Sequence, residues 1–259
     1  MDKEKHSVRD SREIQRYLRS DENKRICEPY VLECERLAEI ADSYSNKCSE
    51  IYRVLNDSVA REEYSIGGEC LHRGYYCPSP IVDIVVGGLN RGKLLKHLTA
   101  KHKPTFKYGF NSKDELIVVN RVCLETGIKE NEIIIQHERI KTSFVFCDEF
   151  GISAVSECVN IGEQITSYTF CLNSSYNKHV SSYIREDYHY SPTGIKIADF
   201  FIFSNDRDAP ILQHSQYHFH NDEEGHLSGY TVKNFEGDGS AKLSVWDGHI
   251  FKVRLTRKL

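Results

Sequence analysis

Phe144-Val145-Phe146-Cys147-Asp148-Glu149-Phe150-Gly151-Ile152-Ser153-Ala154-Val155 decides the fold of this chain. An aromatic segment of period two enters a short Asp/Glu/Gly turn, and a β-branched segment of period two leaves it. That pattern specifies a β-hairpin, because alternation puts one set of side chains on each face while the Asx/Gly turn reverses the strand. Tyr108-Gly109-Phe110 repeats it through Asn111–Glu115 into Leu116-Ile117-Val118-Val119. Tyr217-His218-Phe219-His220 repeats it through Asn221–Gly225 into His226-Leu227-Ser228-Gly229-Tyr230.

Outward from these hairpins the chain divides into three zones. Residues 104–259 read as an antiparallel β-meander, with further strands at 133–135, 165–172, 180–190, 197–203, 211–219, 242–246 and 250–255. The aromatic turn-entry positions are unevenly spaced, so a fixed-period solenoid or propeller is disfavoured. Residues 1–63 read as helical. Ser11 caps a short helix, and Pro29 suits the first turn of a longer one. In that longer helix Val31, Cys34, Ala38, Ala41, Ser45, Cys48, Tyr52, Leu55 and Val59 make a heptad seam. The seam is expected to pack within the chain, against the first helix, with a homodimer through the 30–60 helix as the alternative. Residues 64–103 read as a connector with a strand at 81–86, a Gly87-Gly88 break and a short helix at 93–102. The fold class expected is α+β, an N-terminal helical region followed by a large antiparallel meander.

Composition narrows the function classes. The 259 residues are 28% charged and 39% hydrophobic, with a net charge of −4. A protein whose main role is nucleic-acid binding would concentrate basic charge on one face, so that role is disfavoured. Met1–Asp10 is charged rather than apolar and Ile81–Val86 is too short to span a bilayer. The nine cysteines are an odd number, several at apolar-periodic positions. A reduced, cytoplasmic protein with no membrane association is the expectation.

Four constellations are candidate sites. Gly87-Gly88-Leu89-Asn90-Arg91-Gly92-Lys93 fits the first seven positions of a phosphate-binding loop, with Gly87, Gly92 and Lys93 as the contacts. Leu94 stands where that loop needs a Ser or Thr to hold Mg²⁺. His214, His218, His220 and His226 offer a metal-binding alternative, since His218 and His220 share one strand face. Cys70 and Cys77, with His72 between them, are separated by six residues, too many for a zinc knuckle. Acidic turns form the fourth set: Asp114, Glu115, Asp148, Glu149, Asp222, Glu223 and Glu224, flanked by Tyr217 and Tyr230. Gathered on one edge, they would steer a basic partner and anchor it through aromatic contacts. No residue is singled out as catalytic, and no cofactor is implied.

The residues 106–116, 144–152 and 217–227 resemble the YD repeats of Rhs-type proteins, although the YD dipeptide itself is missing from these units. They also resemble the β-meander modules of immunity proteins in bacterial polymorphic toxin systems. The resemblance covers about a quarter of the chain. It implies a non-enzymatic cytoplasmic module that binds another protein, occluding a basic, toxin-like partner. The competing class is a nucleotide- or metal-dependent enzyme using the Gly87–Lys93 loop or the His214–His226 cluster.

Overall fold

A computed structural model describes residues 11–98, 103–122, 127, 129–174, 179–206, 208–235 and 241–246. Met1–Asp10, Cys123 and the strand expected at 250–255 lie outside them. The helices are α1 (Ser11–Leu18), α2 (Asp21–Tyr44), α3 (Cys48–Asp57) and the single turn α4 (Val82–Val85). The strands are β1 (Arg61–Ile66), β2 (Lys93–Leu94), β3 (Phe106–Phe110), β4 (Leu116–Val122), β5 (Lys129–His137), β6 (Ile140–Cys147) and β7 (Gly151–Ile161). They continue with β8 (Gln164–Ser174), β9 (His179–Ser191), β10 (Gly194–Ser204), β11 (Ile211–Asn221), β12 (Leu227–Phe235) and β13 (Ala241–Trp246).

All of these strands join one 13-stranded antiparallel sheet in the order β13 to β3, then β1 and β2. From β3 to β13 every strand pairs with its chain neighbours, which is the expected meander. The sheet reaches further back than expected, because β1 from the helical zone and β2 from the connector complete one edge.

Both faces of the sheet are covered, by different parts of the N-terminal third. On one face α2 and α3 bury Cys27, Cys34, Leu37, Ala41 and Cys48 against Ile133, Phe144, Val155, Cys171, Tyr183 and Phe203. Tyr44 stacks on Phe144 at 4.4 Å between ring centroids. The heptad seam therefore packs on the sheet rather than on α1. It is not continuous either: the chain turns at Ser45–Lys47, so that α2 lies over β7–β9 and α3 over β4–β5. Pro29 sits inside α2 and not at its start. The cap is Ser20, whose Oγ accepts from the Asn23 N–H at 3.2 Å.

On the opposite face the connector between β1 and β2 buries Leu71, Cys77, Ile81 and Val82 against Tyr168, Tyr188, Ala198, Phe200, Tyr217 and Phe219. Here both local expectations fail. Residues 81–86 hold α4 instead of a strand, because the Ser79 hydroxyl accepts from the backbone N–H of Ile81 (3.2 Å) and Val82 (2.9 Å) and starts a helical turn. Residues 93–94 are extended instead of helical. Gly92 has φ +76°, and Lys93 and Leu94 pair with Ile66 and Ser65. Arg91 ties the segment together, with Nη1 donating to the Cys77 carbonyl (2.7 Å) and Nε to Asp83 (3.0 Å).

Candidate functional site

The meander dictates where its turns lie. Successive hairpin turns alternate between the two ends of the strands, so every second turn shares an edge. Asp114 and Glu115 (β3–β4) and Asp222, Glu223 and Glu224 (β11–β12) fall on one edge, whereas Asp148 and Glu149 (β6–β7) fall on the other. Strands of 11 residues such as β7 separate the two edges by about 35 Å at ~3.3 Å per residue. The seven acids thus do not form one surface. The first edge instead acquires Glu138 from the β5–β6 turn and Glu163 from the β7–β8 turn. Counting turn parity along the sequence would have found both.

Two details modify that edge. Asp114, at φ +64° in its turn, is held by Arg61 at 2.5 Å. Asp222 accepts from the backbone N–H of His226 and of Glu224, which hold its carboxyl below the usual carboxylate range. Tyr217 and Tyr230 are not on this rim: both are buried under the connector, only 8% and 9% exposed. Their alternation places them on the covered face.

The Gly87–Lys93 segment lacks the context of a phosphate loop. A helical turn precedes it and an edge strand follows, the reverse of the strand-to-helix order that aims backbone N–H groups at phosphate. The Arg91 guanidinium faces Asp83 and the Cys77 and Ser79 carbonyls. The four histidines do not converge. His214 is stacked between Phe201 (4.3 Å) and Phe235 (4.4 Å) and bonds Asp199 at 2.8 Å, His218 bonds Gln216, and His226 faces the Asp222 turn. Among the described residues, no group of three His, Cys, Asp or Glu side chains is placed to hold a metal ion.

The polar chemistry lies elsewhere, between connector and sheet. Glu132 on β5 shares its face with Ile134 and is 5% exposed. Its Oε1 accepts from Arg73 Nε at 2.6 Å and from His72 Nε2 at 2.9 Å. Burial alone would raise this carboxyl, but Arg73, His72 and Ser143 hold it down to about 2. Ser143 is in turn bonded to Ser156 across the β6–β7 pair at 2.8 Å. The His72 side chain is 6% exposed, and desolvation lowers its pKa below the ordinary imidazole value, which favours the neutral ring. The ionised Glu132 can only accept, which puts the ring proton on Nε2. Nδ1 then accepts from the Tyr168 hydroxyl at 2.8 Å. Arg73 is reached because its turn is left-handed, with φ +61°. Tyr108, wholly buried, donates its hydroxyl to the Arg73 carbonyl (2.9 Å) and accepts from the Tyr75 N–H (3.1 Å). Gly74 (φ +53°) follows, where a Cβ would stand 2.5 Å from the Phe106 ring.

Four strands further along the same face is a second buried acid. Glu186 on β9 accepts from Ser79 Oγ at 2.7 Å and from the Tyr188 hydroxyl, while its Oε1 has no partner among the described residues. Desolvation raises its pKa to about 7 against the pull of these donors and of Arg91.

The Glu132 network borders a cavity of about 270 Å³ lined by Glu69, Cys70, Arg73, Phe106, Val119, Arg121, Glu130 and Phe170, among others. Sequence reasoning passed over these residues. Cys70, His72 and Cys77 are spaced too widely for a zinc knuckle, and in the fold Cys70 is exposed and Cys77 buried. No protein-family model matches this chain, and no curated protein matches it at a significant level. No helix among the described residues is long and apolar enough to cross a membrane.

Proposed function

We propose that this chain is a non-enzymatic protein-binding module that occludes a basic partner, in the manner of the immunity proteins it resembles. One observation carries the reading: turn parity gathers Asp114, Glu115, Glu138, Glu163, Asp222, Glu223 and Glu224 on one edge of the sheet, against Lys113 and Arg139 from the same turns. From β3 to β12 that rim runs nine strand spacings, about 43 Å at ~4.8 Å each, long enough to steer and orient a macromolecule. Regular hairpins give it a rigid base, so binding requires little ordering of backbone.

The test compares the two edges. Charge reversal at Glu138, Glu163 and Glu223 should abolish copurification of a basic partner from the native host at moderate salt. Reversal at Asp148 and Glu149, on the opposite edge, should leave the complex intact. Equal effects of the two sets, or no partner with the unaltered chain, would remove the support for this reading.

A further inference from the structure

We propose that the cavity beneath the Gly68–Gly74 turn binds a small zwitterion of the amino-acid class, with its carboxylate between Arg73 and Arg121. Arg73 is only 6% exposed, and its Nη2 has no hydrogen-bond partner although Nε is engaged by Glu132. Arg121, on β4, contributes a second buried N–H without a partner, at Nε; its Nη1 meets Glu130 Oε2 only at 3.4 Å. Both arginines line the same cavity. Buried guanidinium N–H groups with no acceptor are rare, and the two arginines that carry them line one space, where their planar forks suit a carboxylate.

Charge balance selects the class of ligand. Beside the two arginines stand the carboxylates of Glu69, Glu130 and Glu132, with His72 neutral, so the lining is formally −1. Phosphate or a dicarboxylate would deepen that imbalance, and a simple cation would leave both N–H groups unpaired. A zwitterion meets both needs: its carboxylate takes the arginine donors and its ammonium faces Glu69 or Glu130. Glu69 is held in place by the Thr105 hydroxyl at 3.0 Å. Phe106, Val119, Val145, Ala154 and Phe170 supply an apolar wall for a short side chain. The volume of 270 Å³ equals about nine water shares of ~30 Å³, the scale of a single amino acid.

The site is independent of the acidic edge, and its test uses the full chain. Each standard amino acid is added singly and followed by thermal shift and calorimetry, with acetate, methylammonium and inorganic phosphate as controls. At least one amino acid should bind saturably where the three controls do not at equal concentration. It should also slow iodoacetamide alkylation of Cys70, the exposed thiol on the cavity rim, as read by peptide mass spectrometry. Arg121→Leu, at a half-buried position, should weaken that binding at least about tenfold, the loss of one charge-assisted hydrogen bond, while leaving the melting curve of the free protein in place. Ala154→Leu fills the cavity and should act likewise. If no amino acid binds, the cavity holds water and the inference fails. Phosphate or acetate alone binding would overturn the ligand class, and binding unaffected by both variants would overturn the location.

Discussion

Glu132 and Glu186 occupy equivalent settings with opposite outcomes. Both stand on the connector face of the sheet, both are buried, and each accepts hydrogen bonds from residues of the connector and of the sheet. Glu132 is held ionised, its pKa about 2, whereas Glu186 is raised to about 7. The difference is the guanidinium. At Glu132 the left-handed turn at Arg73 delivers Nε to 2.6 Å, while at Glu186 the nearest help is two hydroxyls, with Arg91 committed to Asp83. Burial is common to the two sites and does not set the charge of the buried acid. What sets it is which residue the connector places opposite.

The sharpest way to break this comparison is to make Glu132 resemble Glu186. Arg73→Met should destabilise the protein by about 3–5 kcal/mol near neutral pH, the usual consequence of stranding one member of a buried ion pair. Glu132 in that variant should then take up a proton, so that stability falls with rising pH more steeply than in wild type, where Glu186 alone gives such a fall. Adding Glu132→Gln should recover part of the loss, because the amide oxygen can still accept from His72 Nε2. Urea denaturation across pH 4–8 measures all three. A double variant no more stable than Arg73→Met would show that the arginine acts by packing rather than by charge.

The two acids also show where sequence reading stopped. The hairpins were legible because alternation and turn residues are local, as in Phe144–Val155. The apolar run Ile81–Val86 was not: a short run is ambiguous between strand and helix. The deciding signal was Ser79, whose hydroxyl accepts from the Ile81 and Val82 N–H groups at the start of the turn. Lys93-Leu94 became a strand through pairing with β1, which no local pattern encodes. For the buried acids half the information was present. Glu132 alternates in phase with Ile134, and Glu186 with Ile184 and Tyr188, so each had to sit on an apolar face and find a partner. The partners, Arg73 and Ser79, are 59 and 107 positions away, and only the folded connector brings them there.

A smaller effect separates the acids by pH in the unaltered protein. The folded-state pKa of Glu186, about 7, lies above the ordinary carboxyl value of 4.5. Between those values the folded state binds more protons than the unfolded state, so stability falls as pH rises. The stabilisation is complete below about 4.5 and is lost as pH passes through about 7, an effect on the order of 3 kcal/mol in all. Glu132 has the opposite sign: lowered to about 2, it stabilises above about 4.5 and loses that only in strong acid. Glu186→Gln should therefore be more stable than wild type at pH 8, with the advantage vanishing towards pH 4. Asp83, Arg91, Tyr188 and Cys77 face this group, and taking the wild-type minus variant difference cancels their shared contributions. A difference that stays flat with pH would mean that Glu186 remains ionised in the fold.

The smallest effect tests whether Glu132 governs its neighbours as well as itself. Tyr168→Phe removes the hydroxyl that donates to His72 Nδ1 and should cost about 1–2 kcal/mol, since a buried ring nitrogen is left without its donor. The ring should nevertheless keep its proton on Nε2, because the ionised Glu132 can accept and cannot donate. Imidazole nitrogen shifts in labelled protein distinguish the two tautomers directly. If the proton moved to Nδ1 in Tyr168→Phe, the carboxyl of Glu132 would have to carry a hydrogen of its own. The two glutamates would then be alike in charge state, and the contrast between them would collapse.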